Sequence, residues 1–446
     1  MRGFRSTLVL LVVFLGLLGY FYFFAAKTPP GGKDDAGPKG KVFTVDADKI
    51  EELQVKAAGG DRTTLKKLNG IWSVVAPVET RADETEATAI ATNLASLEQQ
   101  RVVDENPADV AQYGLATPRV EVGFRKTGDK ELTQVWLGEK TPTGNDIYAK
   151  LPAGKAVFLV SSFLDSTFNK TTFDLRDKRI LAFDRDKVSG LEITTKDGPL
   201  SLGLVSAQWQ LTKPIAAKAD GGAADGAVSR LQTAQMKSIV AADVPEKDLA
   251  KYGLDKPAVI ASVVSGSAKA TLAIGKAADG GDLYARDMTR PMVFTVEATL
   301  AADLEKKADD YRPKDVFEFK SYNATRIEIT RGTATVVYER VKGKDGSEKW
   351  GQVNPSKDVD QPKVEAVLTS LTAIQVDKYV DAKTKTGLET PVMTVTATSD
   401  GGKKVERVTF GKVGSDVFAA RKGDPGALQI TAAKLDDVQK VLDALK

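Results

Sequence analysis

Two residue types are missing from this chain altogether: its 446 residues include no cysteine and no histidine. Without cysteine there is no disulfide, no thiolate nucleophile and no lipoprotein attachment site. Cysteine avoidance suits an oxidising compartment. Without histidine the usual general base, the commonest metal ligand and every Ser-His or Cys-His nucleophile pair are excluded. No Ser-x-x-Lys occurs either, which removes the commonest histidine-free serine nucleophile. An excess of charge is also lacking. Of 63 Lys+Arg, three (Arg2, Arg5, Lys27) precede residue 28, so the rest of the chain balances its 60 Asp+Glu. A neutral body has no overall electrostatic reason to seek nucleic acid, and no nucleic-acid partner is expected. At 42% hydrophobic and 28% charged residues, the chain can still bury real cores.

What is present begins with an uncharged stretch, Thr7 to Ala26, rich in Leu, Val and Phe. About twenty apolar residues rising 1.5 Å each suffice to cross a hydrocarbon core of roughly 30 Å. The aromatic run Tyr20-Phe21-Tyr22-Phe23-Phe24 suits the membrane interface, and Arg2 and Arg5 precede the span. The positive-inside rule then leaves a short N-terminus in the cytoplasm and exports residues 28–446. A cleaved signal peptide fits less well, because Phe23 or Phe24 would stand where the peptidase wants a small residue. Residues 1–27 are therefore expected to form a stub and transmembrane anchor in the lipid bilayer. Residues 28–40 (TPPGGKDDAGPKG) read as a flexible tether.

Beyond residue 40 one unit of about 137 residues is written three times. Tyr113-Gly114-Leu115 with Pro118 returns as Tyr252-Gly253-Leu254 with Pro257, and, altered, as Thr386-Gly387-Leu388 with Pro391. Leu137-Gly138, Ile274-Gly275 and Phe410-Gly411 keep the same step. So do Trp72, Trp209 and Trp350, and so do Tyr148-Ala149, Tyr284-Ala285 and Phe418-Ala419. A period this long describes a small domain with its own core, not a solenoid turn. The expected domains are 41–182, 183–316 and 317–446.

The first copy can be read in detail. Ile50, Leu53 and Val55 open a strand, and Thr63–Leu68 and Ile71–Val75 flank Asn69-Gly70, the strongest short hairpin signal. The spacing of Ala87, Ile90, Ala91, Leu94 and Leu97 predicts a helix over 84–100. Copy two offers Ala227, Val228, Leu231 and Met236 there, and copy three Val364, Val367, Leu368 and Leu371. Asn106-Pro107 reads as the cap of a short helix that stops at Gly114, a left-handed C′ position, with Pro118 preventing continuation. Strands at 120–124, 132–137, 147–149 and 156–160 follow as an antiparallel meander. Closing helices are expected at 161–168, 297–307 and 432–445. The class is α+β: three tandem homologous domains, each mainly antiparallel sheet with two packed helices.

The recurring residues have plain structural explanations. Large aromatics dominate small cores, so the three tryptophans are expected to pack inside. The Gly-Leu-x-x-Pro element contains what a helix stop requires. Gly138-Glu139-Lys140 and Gly275-Lys276 lack the glycine spacing of a phosphate loop, and no Ser/Thr follows Lys276. Asp184–Asp186 and Asp279–Asp282 lack calcium-loop spacing and read as solvated turns. No catalytic, cofactor-binding or metal-ligating residue emerges.

An N-terminal apolar span followed by tandem units with Trp on a strand, Tyr-Gly-Leu-x-x-Pro, a strand ending in Leu-Gly, and Tyr-Ala before Val-Phe resembles the domain of unknown function 4340 family. Copy three departs at Thr386 and Phe418, where tyrosine is usual. The resemblance implies a bacterial envelope protein encoded beside an ABC-type transporter with a gliding-motility-like permease and an exported accessory subunit. It carries over no catalytic residue. The expectation is a non-catalytic accessory or scaffold protein of the bacterial inner membrane, its body in the periplasm and the permease or exported subunit as partner. The alternatives are a binding protein for an exported polysaccharide or peptide, and a carboxylate-only hydrolase.

Overall fold

The computed structural model describes residues 40–342, 347–353, 355–381 and 383–445. The apolar segment expected to anchor the chain and residues 28–39 of the tether expected over 28–40 lie outside the described residues; Gly40 pairs with Gln99 in a short strand. Among the described residues no helix is long and apolar enough to cross a membrane.

The first sheet is built from β1 (Ile50–Lys56), β2 (Arg62–Leu68), β3 (Ile71–Ala76), β4 (Thr80–Arg81), β5 (Arg101–Asp104), β6 (Val120–Lys126), β7 (Thr133–Lys140), β8 (Asp146–Lys150) and β9 (Val157–Ser161). Their order across the sheet is β4-β3-β2-β1-β6-β7-β8-β9-β5, and every neighbouring pair is antiparallel. Two meanders thus share the central β1–β6 pair. Asn69 (φ 53°) and Gly70 (φ 81°) supply the two positive dihedrals that a tight β2–β3 hairpin demands. Alternate residues such as Leu53, Val55, Leu65, Trp72 and Val74 face inward. Over them lies the helix Glu84–Ala95, started by Asp83, whose carboxylate accepts from the Thr85 and Glu86 N–H groups. That helix buries Ala87, Ile90, Ala91 and Leu94.

The same strand order recurs twice more, from Val188–Thr195 to Val293–Val296 and from Ala324–Arg331 to Ala427–Ile430. The matching helices are Gly221–Thr233 after Asp220 and Gln361–Thr372 after Asp360. Repeated antiparallel sheets with packed helices are therefore the architecture of the body. The chain divides into two compact units between Lys178 and Arg179, the first holding one nine-stranded sheet and a two-stranded one (Gly40–Lys41 with Glu98–Gln99), the second holding two nine-stranded sheets.

Several elements differ from expectation. The first helix stops at Ala95, not 100: the Ser96 hydroxyl and N–H both turn back to Thr92 O, and Leu97 N–H bonds Leu94 O. The chain then forms β5, which pairs with β9 and makes the far edge of the sheet. That strand and its counterparts Ser238–Ala241 and Lys378–Val380 were not foreseen. Met236 lies past the helix Gly221–Thr233, though it is buried. Asn106-Pro107 caps nothing; Asp109 accepts from Ala111 N–H, and the turn is a 3-10 helix of three residues, Ala111–Tyr113. The closing helix of the first copy runs Phe163–Phe168 and is followed by a second, Thr172–Leu175. The other two closing helices are Ala298–Leu304 and Ala432–Asp443.

Candidate functional site

The recurring residues come together as one contact in each copy. Gly114 takes φ 68°, so its N–H reaches Ala111 O at 2.9 Å and the Leu115 N–H reaches Val110 O at 3.1 Å. The turn this makes lies flat on Gly138 of β7: a Cβ there would stand 2.1 Å from Tyr113 O. In return, a Cβ on Gly114 would stand 2.9 Å from Glu139 N. Tyr113 and Tyr148 pair with ring centroids 5.0 Å apart, and Leu115 is buried. Beyond Pro118 the Arg119 N–H bonds Leu137 O at 2.9 Å, returning the chain to the ladder.

Copy two repeats each feature. A Cβ on Gly275 would meet Tyr252 O at 2.2 Å, Gly253 has φ 68°, and Tyr252 and Tyr284 lie 5.1 Å apart. Leu254 is buried, and past Pro257 the Ala258 N–H bonds Ile274 O at 2.8 Å. Copy three keeps the glycines and loses the ring pair. A Cβ on Gly411 would be 2.4 Å from Thr386 O, Gly387 has φ 66°, and Thr386 and Phe418 are both buried. After Pro391 the Val392 N–H bonds Phe410 O. These residues hold a backbone turn against a strand. The tyrosines of copies one and two are half-buried in their ring pairs. Trp72, Trp209 and Trp350 are buried at the start of each copy's helix.

The second unit contains a second constellation that sequence reasoning missed, where its two sheets meet. Lys218 pairs with Glu318, and Glu318 also takes Lys404 at 3.2 Å. Glu406 accepts the Glu318 backbone N–H at 2.6 Å. Beside them the buried Arg312 guanidinium lies 3.5 Å from the centre of the Tyr379 ring and donates to Pro425 O at 2.8 Å. Arg421 donates to both Tyr379 Oη and Asp424 at 2.7 Å, and Tyr379 donates to Pro313 O at 2.6 Å. A hollow of 270 Å³ lies among Lys218, Glu318, Lys404, Glu406 and Arg421.

The two carboxyls there titrate in opposite directions. Burial pushes Glu318 up, but hydrogen bonds and attraction from Lys218 and Lys404 outweigh it and hold the group below the usual range. Burial pushes Glu406 up, and the nearby Glu318 charge adds to this against its backbone hydrogen bonds. Diverging carboxyls can mark an acid–base pair. Here Glu318 is held between Lys218 of one sheet and Lys404 of the other, while Glu406 accepts a backbone N–H of its own copy through one oxygen and leaves the other, Oε1, buried without a partner. Arg312 recurs as Arg176, in Asp174-Leu175-Arg176 against Asp310-Tyr311-Arg312, but the partners around it come from positions far apart in the chain and no local pattern links them. Among the described residues, no group of three Asp or Glu side chains is placed to hold a metal.

The sequence pattern of the family described as "Domain of unknown function (DUF4340)" matches residues 72–208 and 209–388. No curated protein matches the chain. Among solved structures, the DNA polymerase sliding clamp from Pseudomonas aeruginosa aligns over 87% of this chain and 92% of its own, at 7% identity. Its TM-score of 0.15 carries no argument about the fold.

Proposed function

The chain belongs to the family described as "Domain of unknown function (DUF4340)", and from that premise we propose that it is a non-catalytic, membrane-tethered accessory or scaffold protein of the bacterial envelope. Residues 7–26 anchor it in the inner membrane, residues 28–446 stand in the periplasm, and its partner is an ABC-type permease or that transporter's exported accessory subunit. The observation that carries the reading is the fate of the recurring residues: the turn and strand residues dock one against the other, and the tryptophans are buried in the core. With neither histidine nor cysteine in the chain, what is left is surface, multiplied by repetition. Several weak contacts on one tether gain affinity through effective concentration.

A second reading, a binding protein for an exported polysaccharide or peptide, is favoured by one feature: Lys218 lines three neighbouring hollows in the second unit. Two experiments test the proposal. A protease added to spheroplasts should digest residues 41–446; protection of that region overturns the exported placement. Purified protein should leave glycans and peptides intact. Turnover lost on Glu318→Gln or Glu406→Gln would make the protein a hydrolase instead.

A further inference from the structure

The tryptophan is buried in all three copies, with Trp209 the most exposed at 6% against 1% for Trp72 and 4% for Trp350, and in copies one and three the chain's own cation and acceptor lie against it. Its cross-strand neighbour is a cation: Lys67 is paired with Trp72 and Arg340 with Trp350. The Lys67 ammonium and the Arg340 guanidinium each lie 5.1 Å from the ring centre. The first helical residue then accepts from the tryptophan backbone N–H, Glu84 at 2.7 Å from Trp72 N and Gln361 at 2.6 Å from Trp350 N; the Trp209 indole N–H keeps an acceptor of its own, Asp225 at 3.2 Å. Copy two has lost both. The cross-strand neighbour of Trp209 is Leu204, and the first helical residue is Gly221. Among the described residues no cation lies over the Trp209 ring.

The space left is a hollow of 540 Å³ that includes Leu204, Trp209 and Gly221 in its wall. A Cβ built on Gly221 meets nothing closer than Trp209 Cδ1 at 3.9 Å, so the wall has room for a side chain. The two cations in the lining are already engaged, Arg185 with Asp225 at 3.0 Å and Lys218 with Glu318. Asp186, also in the lining, is in no ion pair among the described residues. Two substitutions at one place thus remove the cation and the acceptor together, and the charge left uncommitted is negative.

We propose that the hollow beside Trp209 docks a partner polypeptide, which lays a lysine or arginine side chain on the indole face and sets a neighbouring glutamate or glutamine oxygen against the Trp209 backbone N–H. The occupant's chemistry is what the other two copies supply from within. A single cation on an indole is a weak contact and gains from the tether. The inference rests on the contact reading above and gives it a place.

The test uses the full chain in mild detergent with 5-fluorotryptophan incorporated, the Trp209 fluorine signal being identified by Trp209→Phe. The probe is the peptide acetyl-Gly-Gln-Arg-Gly-amide, with norleucine in place of arginine as control. The arginine peptide should shift the Trp209 signal in a saturable way, and the norleucine peptide should bind about fivefold more weakly or less. The double variant Leu204→Lys, Gly221→Glu rebuilds the cover seen in copies one and three; it should fold and lose the shift. No Trp209 shift at millimolar peptide, an equal shift from the norleucine peptide, or a shift that survives in the double variant would each overturn the site. None of those outcomes touches the exported placement or the absence of turnover, which are decided separately.

Discussion

At the scale of single residues, the informative glycines are Gly138, Gly275 and Gly411. Their recurrence was legible in the sequence, and so was the left-handed stop at Gly114. That the two sets are halves of one contact was not legible, because the turn and its strand lie more than twenty residues apart and no pattern links them. Alanine at Gly138, Gly275 or Gly411 forces a Cβ to within 2.1, 2.2 or 2.4 Å of a backbone carbonyl oxygen. Backbone cannot step aside as a flexible side chain can, so each change should cost about 3 kcal/mol or more. Tyr252→Thr, which imports the copy-three residue, loses the ring pair and some packing on the Val244, Leu249 and Leu254 cluster, and should cost about 1–2 kcal/mol. Urea unfolding of each variant reads both figures. Glycine variants no more costly than Tyr252→Thr would show that the turn does not rest on the strand.

At the scale of elements, the sequence read well where periodicity was strong and poorly at ends. The β2–β3 hairpin and the central turns of each helix follow from Asn-Gly chemistry and an apolar stripe. β5 escaped because four residues, Arg101-Val102-Val103-Asp104, carry no alternation long enough to read, and their partner strand lies far along the chain. The joint between the two sheets of the second unit escaped for the same reason. Its carboxyls make opposite predictions with pH. Glu318 has a lowered folded pKa, so its contribution is present above the ordinary carboxyl value and is lost as pH falls through the folded one. Glu406 has a raised folded pKa, so its contribution is present at low pH and is lost as pH rises through the folded value. Glu318→Gln should therefore destabilise at pH 7, with the gap closing on acidification. Glu406→Gln should fare best against the parent at pH 7 and lose that standing as the pH falls through the raised folded value, the loss being complete by about 4. Urea unfolding between pH 7 and pH 3 measures both, and slopes of the same sign for the two variants would contradict the assignment.

At the scale of the whole molecule, three copies were legible because four sets of residues return in one order. The function was not, because the returning residues build the fold, and the positions that differ between copies set the surface. Leu204 and Gly221 are ordinary residues in isolation; they gain meaning only beside Lys67, Arg340, Glu84 and Gln361. The account's central claim is that this chain works by contact, outside the membrane and from a tether. Affinity purification of the full chain in mild detergent tests it most directly, with a variant lacking residues 1–27 run in parallel. The prediction is that a permease of the ABC type, or its exported companion subunit, is recovered with the full chain and recovered less well without the anchor. Recovery of the full chain alone, under conditions that keep the transporter itself intact, would contradict it.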